Sequence, residues 1–193
     1  MDSRTRSHHH ASDPLPHPGP CGHLVQFYAD HSRLLDSLET FCSAGLDTGE
    51  AVVVIATPPH LHALEARLQG RGIDLVAARN ENRYLPFGAH DAMDRFIVDA
   101  WPDKGRFTTF LEATLARARG TGRKVRAFGE MVAVLWANGD RDAALQLERL
   151  WCEVCERGQL TLLCAYPTAA FSGIDDPNLA MVRALHTEGT PGG

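Results

Sequence analysis

Lysine is almost absent from this chain of 193 residues, which contains only Lys104 and Lys124. Nucleotide hydrolysis by a phosphate-binding loop needs the motif G-x-x-x-x-G-K-[ST], in which the lysine reaches the terminal phosphates. Lys104 is followed by Gly105 and Lys124 by Val125, so neither lysine belongs to such a motif. The sequence therefore argues strongly against a phosphate-loop nucleoside triphosphatase.

Signatures of other protein classes are missing as well. No G-x-G-x-x-G run opens a helix after a strand, and no G-x-S-x-G nucleophile elbow is present. The formal net charge of −5 disfavours direct binding to nucleic acid, and no apolar run reaches the roughly 18 residues of a membrane span. The N-terminus lacks the apolar segment of a secretory signal, so we expect a cytoplasmic protein.

Five cysteines in a reducing compartment are expected to be thiols or ligands, and disulfides are not expected. Cys152 and Cys155 form a C-x-x-C pair on a predicted helix, with Cys164 close in sequence. Residues i and i+3 share one side of a helix, so the three thiols are an alternative metal or redox site. No second pair of ligands at metal-binding spacing accompanies them, and buried structural thiols are the favoured interpretation.

The two ends of the chain differ in composition from the middle. Residues 1–22 are rich in Ser, His, Pro and Gly and are expected to form a flexible arm, in which the histidines at 8–10 could hold a metal weakly. We expect one folded domain over residues 23–172. Residues 173–193 are expected to form a C-terminal tail, in which residues 177–186 could make one short helix.

Between these ends, strand patterns alternate with helix patterns of about 12 residues. Residues 51–57 are a continuous β-branched run, typical of a strand buried on both faces. Similar strands are predicted over residues 23–28, 74–79, 124–130 and 161–166, whereas residues 80–103 are predicted to be largely irregular, with a short helix from Asp91. This alternation predicts an α/β fold, a three-layer sandwich around a mostly parallel sheet.

Two strands are expected to end in polar residues, Glu130 and Tyr166. Ligands of open α/β sheets bind at the carboxyl edge, where both residues are expected to lie. Glu130 could accept a hydrogen bond from a ligand or act as a general base, or it could pair with Arg126 or cap the next segment. Tyr166 could present its hydroxyl to the same crevice or be a core aromatic residue. These alternatives stay open from the sequence.

Histidines follow the first two predicted strands at the same edge. His31 comes after the first strand, and His60 and His62 come after the second. Three histidines on one rim could bind a metal or a haem-like cofactor, but histidines at helix starts are more often solvated. No cofactor is required by the sequence, and the identity of any cofactor stays unknown.

Several short motifs, taken in order, resemble the MEDS domain, the sensory domain of methanogens, methylotrophs and the dichloromethane-responsive repressor. The resemblance covers residues 22–172. The motifs are Gln26-Phe-Tyr28-x-Asp30, Gly45-Leu-x-x-Gly49-Glu50, Ala56-Thr57-Pro58, Val125-Arg126-x-Phe128-Gly129-Glu130-Met131, Leu147-Glu148-x-Leu150-Trp151 and Leu163-Cys164-Ala165-Tyr166-Pro167.

The resemblance implies a RecA- or KaiC-like fold that has lost its phosphate-binding loop, which agrees with the missing lysine motif. It also implies a role in sensing small molecules such as hydrocarbon derivatives. The repressor of the family carries a helix-turn-helix module, and the arm before residue 22 is too short for one. We therefore expect a sensory domain that signals to a regulator protein in trans, such as a kinase, a transcription factor or an anti-sigma type protein. A homodimer is one state that would suit such signalling.

Our leading hypothesis is a non-catalytic sensor that binds a small molecule at the carboxyl edge of the sheet. The rival hypotheses are a metal- or cofactor-binding redox protein or enzyme, and an interaction scaffold without a ligand. Aromatic residues near the strand ends, among them Phe27, would supply apolar walls. The residues expected to contact the ligand are Tyr28, Asp30, His60, Glu130, Trp136 and Tyr166.

Overall fold

The computed structural model describes residues 22–158 and 160–186. Most of the predicted N-terminal arm, with the histidines at 8–10, lies outside the described residues, as does the end of the predicted C-terminal tail. The strands are β1 (His23–Tyr28), β2 (Ala51–Ala56), β3 (Tyr84–Gly88), β4 (Ile97–Val98), β5 (Trp101–Pro102), β6 (Val125–Gly129) and β7 (Leu160–Pro167).

Helices are interspersed with these strands along the chain. They are α1 (His31–Asp47), α2 (Pro58–Gly70), α3 (Leu75–Asn80), α4 (Ala89–Met93), α5 (Lys104–Arg119), α6 (Met131–Ala137), α7 (Arg141–Glu156) and α8 (Pro177–Ala184), with a short 3-10 turn at Thr168–Ala170.

Five strands form the central sheet in the order β1-β7-β6-β2-β3, and every neighbouring pair is parallel. Strand β2 is buried at all six positions because both of its faces are covered by helices. Ile55 of β2 pairs with Phe87 of β3 on one side and with Gly129 of β6 on the other, which aligns the carboxyl ends of the three strands.

Helices cover both faces of the sheet. One core holds Leu34 and Leu38 of α1 and Leu64 of α2 against one face. The other core holds Phe107 of α5 and Trp151 of α7, which meet edge to face at 5.2 Å, against the opposite face. The predicted three-layer α/β sandwich is therefore confirmed.

Helix α3 (Leu75–Asn80) occupies the segment at residues 74–79, so the strand predicted there is wrong. Asp74 caps this helix by accepting a hydrogen bond from the Ala77 amide at 2.9 Å. A capping aspartate followed by a run with two alanines favours a helical turn over a strand. Val76, which suggested a strand, is 64% exposed and does not enter the core.

The third strand of the sheet, β3, lies instead within the region expected to be irregular. It occupies an edge of the sheet, where Pro86 is tolerated because only one side of the strand needs backbone donors. The predicted short helix from Asp91 is α4, which begins two residues earlier at Ala89. An antiparallel hairpin of β4 and β5 follows.

Helix α8 lies in the segment that we expected to be a tail. It begins with Pro177 after Asp176, whose side chain accepts a hydrogen bond from the Asn178 amide at 2.9 Å. Val182 of this helix is fully buried and belongs to the core that contains Trp151. The end of the described chain is thus packed against the domain.

Candidate functional site

At the carboxyl edge of the sheet, the chain turns to one face after β2 and to the opposite face after β6. The chain leaves β2 into α2, which packs on the same face as α1, and it leaves β6 into α6, which packs on the opposite face. Because the two strands are neighbours, their carboxyl ends form the kind of crevice in which α/β proteins bind ligands. Thr57 follows β2 and Glu130 follows β6 at this point.

Glu130 bridges the crevice with both carboxylate oxygens. The Thr57 amide donates to Oε2 at 2.7 Å, and the Thr57 hydroxyl donates to the same oxygen at 3.1 Å. His60 Nδ1 lies 2.6 Å from Oε1. Neither structural alternative considered from the sequence occurs, since Arg126 pairs with Glu50 and the Glu130 side chain makes no helix-capping bond.

The contact continues from His60 to His31. His60 Nε2 lies 2.7 Å from Nδ1 of His31, the first residue of α1. His60 is 8% exposed, whereas His31 is exposed. The hydrogen bond to Glu130 is the main cause that raises the pKa of His60, against the lowering effect of burial. We call Thr57, Glu130, His60 and His31 the edge network; its inner end is buried and its outer end meets solvent.

Two further predicted residues flank the edge network. The Tyr28 ring is buried, and its centroid lies 6.2 Å from that of His31. Burial raises the pKa of Tyr28 to about 12, with a smaller contribution from the charge of Glu130. Asp30 is exposed and caps α1 by accepting from the Arg33 amide at 3.0 Å. His62 is exposed and does not share in the network contacts of the described residues.

Tyr166 and Trp136 make their polar contacts elsewhere. The Tyr166 hydroxyl donates to Glu148 Oε1 at 2.7 Å in the buried core, and Trp136 Nε1 donates to the Ala170 carbonyl at 3.2 Å. The two rings meet edge to face at 5.6 Å, and Phe27 stacks on Tyr166 at 6.3 Å. The expectation that Tyr166 shares one polar crevice with Glu130 therefore does not match its hydrogen bonding.

Four buried side chains meet behind Tyr166, and we call them the buried cluster. One ligand atom from each lies within 4.8 Å of the others, and every member is buried. The cluster joins strands β1 and β7, helix α7 and the segment that follows α8. Its members are His23, Glu148, Cys164 and His186.

The charge of Glu148 depends on the histidines beside it. Burial acts to raise the pKa of Glu148, but His186 and His23 together hold that pKa well below its ordinary range. Burial is also the main cause that lowers the pKa of His23. The cluster thus places a carboxylate beside two imidazoles in an apolar interior.

Sequence reasoning found only one member of the buried cluster, Cys164. The other cysteines predicted with it lie on α7, where Cys152 Sγ contacts His23 Nδ1 at 3.3 Å and the Leu185 carbonyl at 3.1 Å. Cys155 is buried. The signal that was available is Glu148 itself, a charged residue on the apolar face of α7, although the sequence could not show what it meets.

A separate open cavity of about 640 Å³ lies between α5 and β3, and none of the six predicted ligand residues lines it. Phe87, Phe110 and Ala113 contribute apolar surface. Arg95, Arg106 and Arg117 contribute positive charge, and within residues 22–158 and 160–186 no carboxylate forms a salt bridge with these three arginines.

Comparison with known proteins identifies the family. Among the described residues, no helix is both long and apolar enough to cross a membrane. No curated protein matches the chain. A family model described as MEDS, MEthanogen/methylotroph, DcmR Sensory domain, matches residues 22–187 and so includes α8, the edge network and the buried cluster. This chain therefore belongs to the MEDS family of sensory domains.

Proposed function

We propose that this sensory domain binds a small hydrocarbon derivative that carries a hydrogen-bond acceptor, and that it signals to a regulator protein in trans without catalysing a reaction. The observation that carries the proposal is the edge network. A hydrogen-bonded line runs from buried Glu130 through His60 to exposed His31, at the crevice where an α/β sheet receives its ligands.

The position of each proton in the edge network follows from the acceptor at its inner end, Glu130. Glu130 accepts from His60 Nδ1, so His60 is held with a proton on that nitrogen. When His60 carries its second proton, which its raised pKa favours, Nε2 donates to His31 Nδ1. The outer nitrogen of a neutral His31 is then a donor that faces solvent, and it suits a ligand with an acceptor such as a carboxylate.

Glu130 acts in this proposal through His60 and does not touch the ligand. Both of its oxygens already accept hydrogen bonds from Thr57 and His60. A general base needs a free lone pair directed at its substrate, so this arrangement favours a positioning role over catalysis. Tyr28 beside His31 supplies an apolar wall, and its high pKa keeps its hydroxyl protonated.

The arginine-lined cavity is a second candidate position for the same kind of ligand. Its apolar side chains and its three arginines suit a short hydrocarbon chain with an anionic group, and its volume is in the usual range for small-molecule sites. The two positions are distinguishable because they share no residue.

A partner could read the bound state at the β4–β5 hairpin. Asp99 and Ala100 form its turn with positive φ angles of 49° and 62°, a conformation that costs energy for residues with a Cβ. Trp101, which follows the turn, is 47% exposed. A strained turn beside an exposed aromatic residue suits a contact surface for a regulator.

The test uses octanoate and octylamine, two probes of equal chain length, with the full chain in thermal-shift and calorimetric titrations. Octanoate offers an acceptor and octylammonium offers only donors. Octanoate is expected to stabilise the protein, and octylamine is not. His31→Ala is expected to weaken octanoate binding at least tenfold, which corresponds to losing one hydrogen bond to a charged group.

Matched variants locate the site. His62→Ala removes an exposed histidine from the same region and should leave octanoate binding unchanged, as should Arg106→Gln. If Arg106→Gln abolishes the response while His31→Ala retains it, the ligand binds in the arginine-lined cavity and the edge position is wrong. The proposed ligand class would be overturned if octanoate and octylamine stabilised the protein equally, or if neither stabilised it.

A further inference from the structure

Four distances between ligand atoms of the buried cluster are close to those of a metal site, and all four atoms lie within 4.8 Å of one another. His23 Nε2 lies 3.3 Å from Glu148 Oε2 and 3.5 Å from Cys164 Sγ. Glu148 Oε2 also lies 3.5 Å from Cys164 Sγ and 3.4 Å from His186 Nε2. A tetrahedral zinc ion with bonds of about 2.0–2.3 Å separates its ligand atoms by roughly 3.3–3.8 Å.

One ligand atom of the buried cluster lacks a hydrogen-bond partner among the described residues. His186 Nε2 is fully buried, yet it makes no hydrogen bond to any described residue. A buried polar atom without a partner is costly and calls for an explanation. Its contact with Glu148 is only a 3.4 Å approach, and both side chains are completely buried. An ion at the centre of the buried cluster would satisfy this nitrogen.

Surrounding contacts orient the ligand atoms inward. His186 Nδ1 lies 2.6 Å from the Val182 carbonyl, so that nitrogen donates a proton and Nε2 keeps its lone pair. Tyr166 donates to Oε1 of Glu148, which leaves Oε2 for the cluster. His23 Nδ1 faces Cys152 Sγ at 3.3 Å, so its Nε2 also points inward. Metal-binding histidines and carboxylates are commonly held by such outer contacts.

We propose that His23, Glu148, Cys164 and His186 bind one divalent metal ion of the zinc class. Two imidazoles, a thiolate and a carboxylate are a ligand set that zinc accepts, and four protein ligands make a closed, structural site. The negative charges of the thiolate and the carboxylate would balance the ion in the apolar core. Binding releases the thiol proton of Cys164 to solvent as the Cys164 Sγ–metal bond forms.

The ion would fasten the segment that follows α8 to the sheet. His23 begins β1, Cys164 lies within β7 and His186 follows α8, so one ion ties α8 to two adjacent strands. The buried cluster shares no residue with the edge network. Metal binding would therefore control whether α8 stays docked, independently of small-molecule binding at the edge.

Cobalt titration of the demetallated full chain tests the site. The histidines at 8–10 are replaced by alanine in every variant, because a histidine run binds metals by itself. One equivalent of Co²⁺ is expected to give tetrahedral visible bands and a thiolate-to-cobalt band in the near ultraviolet, both removed by Zn²⁺. Cys164→Ser should abolish the thiolate band. Cys42→Ala, which alters a buried thiol of the opposite core, should retain it.

Limited proteolysis gives a second readout that does not depend on the folding of Cys164→Ser. Trypsin cleaves after Arg183, which lies in α8 with its guanidinium 5.7 Å from the Phe27 ring centroid. Zn²⁺ is expected to slow this cleavage at least tenfold in the wild type and to have no effect in His186→Ala. Absence of a thiolate band in the wild type, or equal cleavage rates with Zn²⁺ and EDTA, would overturn the proposed site.

Discussion

His60 Nδ1 lies 2.6 Å from Glu130 Oε1, although 70 positions separate the two residues in the chain. The contact joins the helix after β2 to the end of β6, across the crevice at the carboxyl edge of the sheet. It links buried Glu130, which follows β6, to His60, which in turn contacts the exposed His31.

The contribution of His60 to stability should depend on pH. Its folded-state pKa is raised above the ordinary value of 6.5, chiefly by the hydrogen bond to Glu130. Protonated His60 therefore favours the folded state, so its contribution is complete below pH 6.5 and is lost as pH rises through the folded pKa. We expect urea unfolding at several pH values to show that the wild type is more stable than His60→Gln. The difference in their free energies of unfolding should narrow from pH 6 to pH 9.

His62→Gln is the control for this pH effect. His62 is exposed and lies two positions from His60 on α2 without sharing the hydrogen bond to Glu130, so its replacement should not reproduce the change seen in His60→Gln. The assigned hydrogen bond would be contradicted if the difference in free energy of unfolding between the wild type and His60→Gln widened with rising pH.

Glu130→Gln should lower the free energy of unfolding by about 1–3 kcal/mol while the domain still folds. The amide keeps the size of the side chain but has one acceptor oxygen, so it cannot accept from both Thr57 and His60 through two oxygens. The expected octanoate response is weakened as well, because His60 loses its orientation. Chemical denaturation followed by fluorescence measures the stability change, and a variant as stable as the wild type would refute the bridging role.

Tyr166→Phe should destabilise the metal-free protein by about 1–3 kcal/mol. The phenol donates to Oε1 of Glu148 at 2.7 Å, and its removal leaves a buried carboxylate oxygen without a donor. Phe27 is half-buried and stacks on the same ring, so Phe27→Leu controls for changed aromatic packing. Unfolding in EDTA gives the comparison, and a loss in Tyr166→Phe no greater than in the control would count against the hydrogen bond.

Ala100→Gly should stabilise the domain by about 1 kcal/mol. Asp99 and Ala100 occupy the two turn positions of the β4–β5 hairpin, both with positive φ, and Asp-Gly is a preferred pair for such a turn. Glycine adopts positive φ without the steric cost that alanine incurs. A rise in thermal midpoint is the expected result. Ala113→Gly, at an exposed position of α5, should have the opposite effect because glycine weakens a helix.

Much of the fold was predictable because the sequence pattern of apolar residues agrees with the burial of those residues in the structure. The β-branched run of β2 indicated a strand covered on both faces, and all its residues are buried. The error at residues 74–79 arose because a short run containing Leu75 and Val76 fits a strand and a helical turn equally well, and only its cap and its exposed side chains distinguish them.

The candidate sites were predictable only in part. The sequence placed Glu130 and His60 at the same sheet edge, since the carboxyl ends of parallel strands meet there. It could not show that their side chains touch, because contact depends on which strands are neighbours. Tyr166 was expected beside Glu130 for the same reason, but its hydroxyl points to Glu148 of α7 instead.

The sequence by itself determined the alternation of strands and helices, the parallel sheet and the family, since each depends on short-range patterns of apolar and turn residues. Only the tertiary structure decided which polar side chains meet in the interior. His23 and His186 come from opposite ends of the described chain, and they meet because β1 pairs with β7 and α8 folds back onto the core. Such contacts depend on the strand order and on the rotation of each helix about its axis. Neither can be read from the spacing of residues along the sequence.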